Sequence, residues 1–180
     1  MLGFYEDFPV FPHAKADFTC ATSTETLQKA IVATAYSLNS QEFDLSAIAP
    51  TKIGCRIGFE FGIAEGANFN YLDAEEIERF RKSLAKKENL SYTDFLCIVK
   101  YHVSNGGKRQ PLKFDNYMLR FIFRKPQVQL RVFHEKGTQR LSLEELIEFL
   151  TKQVNNELEK MKATPLRLKS LMHPVPIERL

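Results

Sequence analysis

Nothing in this 180-residue chain approaches the roughly 18 consecutive apolar residues that a membrane-spanning helix requires. The opening run MLGFYEDFPVFPH lacks the positively charged start of a secretory signal and carries Glu6 and Asp7 instead. The expected compartment is therefore the cytoplasm, with no membrane partner. Cysteine is also scarce. Cys20, Cys55 and Cys97 are odd in number, widely spaced and set in apolar stretches, and the chain has no CxxC, CxH or HxxxH spacing. That pattern argues against a disulfide framework and against a metal site, and predicts thiols packed as small hydrophobes. With only 8 Gly and 8 Pro against 44% hydrophobic and 26% charged residues, the composition is that of a folded globular chain.

Motifs that carry chemistry are missing as well. The segment NGGKR lacks the outer glycine of a phosphate loop, has Arg109 where Ser or Thr should follow the lysine, and precedes a strand pattern. His13, His102, His134 and His173 are scattered. The paired acids Glu75-Glu76 and Glu144-Glu145 sit at helix starts, where they complement the dipole, and Asp115-Asn116 reads as a turn. No catalytic residue, metal ligand or cofactor follows from the sequence. An enzyme or small-ligand carrier with a pocket between helices and sheet stays open as an alternative, because a pocket lining and a packed core share one periodicity.

What is present is an alternation of strand and helix patterns in the order β-α-β-α-β-β-β-α. The first strand is KADFTCA. Thr22 or Ser23 caps a helix reaching Asn39, with Leu27, Ile31, Ala35 and Leu38 on one face. Asp73 with Glu76 forms a capping-box pattern for a second helix carrying Ile77, Phe80 and Leu84, and Ser142 with Glu145 forms one for a third that runs to about Met161. Between the last two helices, DFLCIVKYHV, YMLRFIFR and QVQLRVFH alternate apolar and polar residues as a meander. The fold class is α+β: a mostly antiparallel sheet of four to five strands with three helices packed on one face. Residues 1–180 form one domain, with 1–15 an extended aromatic arm and 163–180 a proline-containing tail. The tail is either strapped across the body or reserved for a partner.

The strand IGCRIGFEFGI poses the functional question. Its odd positions are apolar, while Gly54, Gly58 and Gly62 fall on the opposite face, where glycine weakens a strand. That helix-free face also collects Arg56, Lys100, His102, Arg120, Arg124 and Arg131 against the single acid Glu60, among Leu96, Ile98, Met118, Ile122 and Phe133. The sequence thus predicts a non-enzymatic domain that uses a glycine trough with basic flanks to hold a protein partner or a second copy of itself. Nucleic-acid binding through the same face is the rival, although the face offers only Phe133 for base stacking.

Overall fold

The helices begin where the capping residues place them. The Ser23 hydroxyl accepts from the Thr26 N–H at 3.2 Å and opens α1 (Thr24–Leu38). The Asp73 carboxylate accepts from the Glu76 N–H at 2.9 Å and opens α2 (Ala74–Ala85). Ser142 and Glu145 complete a reciprocal box, at 3.1 and 2.9 Å, at the head of α3 (Leu143–Lys160). Each satisfies N–H groups that the first helical turn leaves without partners. The computed structural model describes residues 1–174, so Val175, Pro176, Ile177 and Leu180 of the tail lie outside the described residues.

The strands are β1 (Ala14–Thr19), β2 (Glu42–Asp44), β3 (Cys55–Glu65), β4 (Asn68–Tyr71), β5 (Tyr92–Asn105), β6 (Lys108–Pro111), β7 (Asp115–Arg124), β8 (Gln127–Lys136) and β9 (Arg167–Met172). They form one sheet in the order β2-β3-β5-β7-β8-β1-β9, with β4 paired to β3 and β6 to β5, and every pairing is antiparallel. The α+β antiparallel class stands, but a count of four to five strands is too low: there are nine among the described residues. The additional strands carry little periodic signal. β2 is only three residues long. β4 and β6 are the return arms of hairpins, and their sequences, EGANFN and SNGGKRQP, read as turns. β9 pairs with β1 through a bulge, which puts its buried-face leucines three apart instead of two. The tail is thereby bound into the sheet through Met172. The arm extends only to His13, because β1 begins at Ala14.

Alternation on β3, β5, β7 and β8 buries one face. Phe61, Phe95, Leu119 and Phe121 lie beneath Ile31, Ala35 and Leu38 of α1 and Leu150 and Val154 of α3, all in one apolar cluster. Phe61, Phe95 and Phe121 meet edge-on at centroid distances of 6.1 and 6.2 Å, and Phe59 stacks on Phe149 of α3 at 5.2 Å. Burying one such side chain contributes about 1.5–3 kcal/mol, and each aromatic pair about 0.5–1.5 kcal/mol more. The α2 residues Ile77 and Phe80 share a cleft with Val32 and Ala33 of α1. All three cysteines are free, with Cys20 and Cys97 buried and Cys55 half-buried. Burial raises the Cys97 thiol pKa well above its ordinary value.

Candidate binding surface

Directly opposed residues in an antiparallel pair point to the same face, so the strand register assembles the helix-free surface row by row. One row runs Asp94, Arg120, Arg131, Lys15, Met172 from β5 to β9. The next runs Tyr92, Ile122, Gln129, Asp17, Ser170, and a third joins Arg124 to Gln127, Thr19 and Arg167. On the other side, Leu96, Met118 and Phe133 line up, while β3 and β5 oppose Arg56 to His102, Gly58 to Lys100 and Glu60 to Ile98.

The three glycines have separate local causes. Gly54 precedes β3 with φ +81°, a left-handed conformation that only glycine adopts freely, and an added Cβ would meet nothing within 4 Å. At Gly58 the nearest atom to such a Cβ is Glu42 Cγ of β2 at 3.9 Å, an ordinary van der Waals distance that leaves room for one methyl group. At Gly62 the space is taken by β4, with Asn70 O and Phe69 Cβ both 3.2 Å from the added atom. Of the two strand glycines, Gly58 alone has room for a Cβ without crowding, and it is nonetheless buried, so no exposed trough runs along β3.

The cations divide into two groups. Arg56 pairs with Asp44 at 3.1 Å and Glu42 at 3.7 Å, Lys100 pairs with Glu60 at 2.6 Å, and Arg109 also reaches Glu42. Arg120 is covered. Its guanidinium donates to the Asp94 carboxylate at 2.9 and 2.7 Å and to Tyr5 O at 2.9 Å, and lies 4.9, 4.5 and 4.9 Å from the rings of Phe4, Phe8 and Tyr92. The amino-terminal arm is therefore what lies on this face. Its backbone is tied down by Gly3 N–H to Ala64 O at 2.7 Å, Asp94 N–H to Gly3 O at 2.8 Å and Tyr5 N–H to the Asp94 carboxylate at 2.8 Å. Burial pushes the Asp94 carboxyl upward, against the opposing pull of Arg120 and the Tyr5 N–H.

Lys15, Arg124, Arg131 and Arg167 make no ion pair among the described residues. Arg131 stands between Arg120 and Lys15 and donates to Gln129 at 2.7 Å. In the adjacent row, Asp17 is held by Gln129 at 2.8 Å and Ser170 at 3.1 Å. Lys15 and Arg167 did not emerge from the sequence, although the alternation in KADFTC places Lys15, Asp17 and Thr19 together once β1 is seen to belong to the same sheet. Phe133 is not free for base stacking. The His13 ring lies on it at 4.4 Å and 14°, while His13 Nδ1 accepts from the His134 N–H at 2.9 Å. Burial, and then the His134 charge, lower the His13 pKa. His102 has a buried Nδ1 with no partner among the described residues.

A second polar cluster lies at the far end of β5 and β7. Asp115 is fully buried and accepts from Tyr101 OH at 2.7 Å, from the backbone N–H groups of Gln139 and Arg140 at 2.7 and 3.2 Å, and meets His134 Nε2 at 2.9 Å. Burial alone would raise its pKa, but these hydrogen bonds outweigh that and hold it below the usual carboxylate range. Burial raises the phenol pKa of Tyr101 and Tyr117. Gly137, at φ +123°, lets the loop approach, since a Cβ there would fall 2.2 Å from the Asp115 carboxylate. Every polar contact of this carboxylate closes within the protein, which makes it a loop anchor.

No family model matches the chain, and no curated protein matches it. One solved structure aligns with it, the crystal structure of the toxic C-terminal tip of CdiA from Pseudomonas aeruginosa in complex with immune protein. The alignment covers 84% of this chain and 79% of that chain, at 13% sequence identity and a TM-score of 0.26. A likeness at that level supports no conclusion about fold or function.

Proposed function

We propose that the chain is a non-enzymatic protein-binding domain that receives an acidic surface of another protein on the helix-free face of β7, β8 and β1. This reading is supported by the division of the cations: Arg56, Lys100 and Arg120 are engaged in ion pairs, whereas Lys15, Arg124 and Arg131 make none among the described residues. An antiparallel face with such cations beside Leu96 and Met118 suits a protein surface that combines acids with apolar contacts. A face-to-face second copy would oppose these cations to one another, and like-charge juxtaposition opposes association. The nucleic-acid reading loses support because His13 occupies the Phe133 ring.

The test compares two sets of cations on one face, with poly-L-glutamate as the probe. Replacing Lys15, Arg124 and Arg131 together with alanine should weaken binding by about 3- to 150-fold, from roughly 0.2–1 kcal/mol for each exposed charge contact. Replacing Arg56 and Lys100 should leave binding nearly unchanged. Equal losses in the two variants would overturn the reading.

A further inference from the structure

β9 closes one margin of the sheet. It pairs only with β1 among the described residues, so its outer backbone edge has no partner there. Two clamps fix it to α3. Asn155 bonds the Leu166 backbone in both directions, accepting from its N–H at 2.8 Å and donating to its carbonyl at 3.1 Å, and His173 meets Glu144 beyond the other end of the strand. Between the clamps α3 and β9 stand apart, leaving an open groove of about 580 Å³ whose lining includes Ile147 and Thr151 of α3 and Leu168 and Leu171 of β9. Leu168 is 52% exposed although it faces the helical side, opposite the buried Phe18. On its other face the same strand presents Arg167, in the row of Arg124, and Met172, in the row of Arg131 and Lys15.

We infer that the β9 edge and its groove accept an extended segment of another protein in which apolar and acidic residues alternate. Strand addition would satisfy the free edge with backbone hydrogen bonds. Alternate apolar side chains would then enter the groove over Leu168 and Leu171, and the acidic ones would lie beside Arg167 on the helix-free face. A groove held open at both ends is formed before the partner arrives, which lowers the ordering cost of binding. The bulge and Lys169 work against indiscriminate edge pairing. They also select between partners, because Arg167 and Lys169 repel a second basic edge, including that of another copy, and attract an acidic strand. The charge preference rests on Arg167 and Lys169 at the β9 edge and not on Lys15, Arg124 and Arg131 of the proposed function, so the two fail separately.

The probe is the labelled peptide Glu-Val-Glu-Ile-Glu-Val-Glu, titrated into the full chain by fluorescence anisotropy, with Glu-Val-Pro-Ile-Pro-Val-Glu as the control that cannot add as a strand. The expected result is saturable binding of the first peptide alone and slowed amide exchange in β9. Leu168→Asp, which puts a charge in the groove, and Thr151→Arg, which fills it from the α3 side, should each weaken binding by at least about tenfold. Thr151→Arg serves if Leu168→Asp disturbs the strand. Equal binding of the proline peptide, or binding lost in the Lys15/Arg124/Arg131 variant but kept in both groove variants, would overturn the inference and assign the peptide to the sheet face. A dimer of the free chain abolished by Leu168→Asp would overturn it in favour of a second copy.

Discussion

Asp94 and Arg120 face each other across β5 and β7, and the guanidinium holds both carboxylate oxygens, at 2.9 and 2.7 Å, beneath the rings of Phe4 and Phe8. Both groups also engage Tyr5, one through its N–H and the other through its carbonyl. One ion pair thus fastens the amino-terminal arm to the sheet. Removing only the cation leaves a buried, unpaired carboxylate, so Arg120→Ala should cost about 3–5 kcal/mol in chemical denaturation. Amide exchange at Gly3 and Tyr5 should speed up in the same variant. The double variant Asp94→Leu/Arg120→Met, which removes both charges and keeps bulk, should be the more stable of the two.

The glycines should rank by the space around them. Gly58→Ala should leave stability unchanged or raise it by about 0.5–1 kcal/mol, since glycine in a strand interior is costly. Gly62→Ala should lower it by about 1–3 kcal/mol through crowding against β4. Gly137→Ala should be the most damaging, because its Cβ would meet Asp115 and Phe114 atoms within 2.7 Å. Denaturant midpoints of the three variants check the order.

Asp115 predicts a dependence on pH. Its folded pKa lies below the ordinary carboxylate value, so its contribution is present above that value and is lost as pH falls through the folded pKa. The wild-type chain should therefore lose stability below about pH 4. Asp115→Asn should be less stable at neutral pH and flatter in acid. Denaturation curves from neutral pH down to about pH 3 distinguish the two.

The capping pairs Asp73/Glu76 and Ser142/Glu145 and the alternation of β5, β7 and β8 were legible because each signal is local: a side chain reaching its own helix turn, or a period of two. β9 was not, because its bulge spoils that period and its partner β1 lies about 150 residues away in sequence. Asp115 read as a turn residue because the loop that surrounds it, Gly137 to Leu141, is contributed from beyond another strand. The two groups of cations were invisible for the same reason. Lys100 and Glu60 become neighbours only through the β3–β5 register, and nothing in the sequence places the arm over Arg120.

Size-exclusion chromatography with light scattering at about 50 mM and about 500 mM salt, limits that span weak and strong screening, should give a monomer at both. The ratio of absorbance at two ultraviolet wavelengths should show no co-purified nucleic acid. A salt-resistant dimer would instead favour the chain itself as partner, and nucleic acid shed at high salt would favour the rival reading.

An amide NMR titration with poly-L-glutamate locates the face on which an acidic protein surface settles. Saturable shifts are expected at Lys15, Asp17, Gln129 and Arg131, with little change at Arg56, Gly58 or Lys100. Shifts centred on Gly58 and Lys100, or spread evenly over every exposed lysine and arginine, would contradict that location.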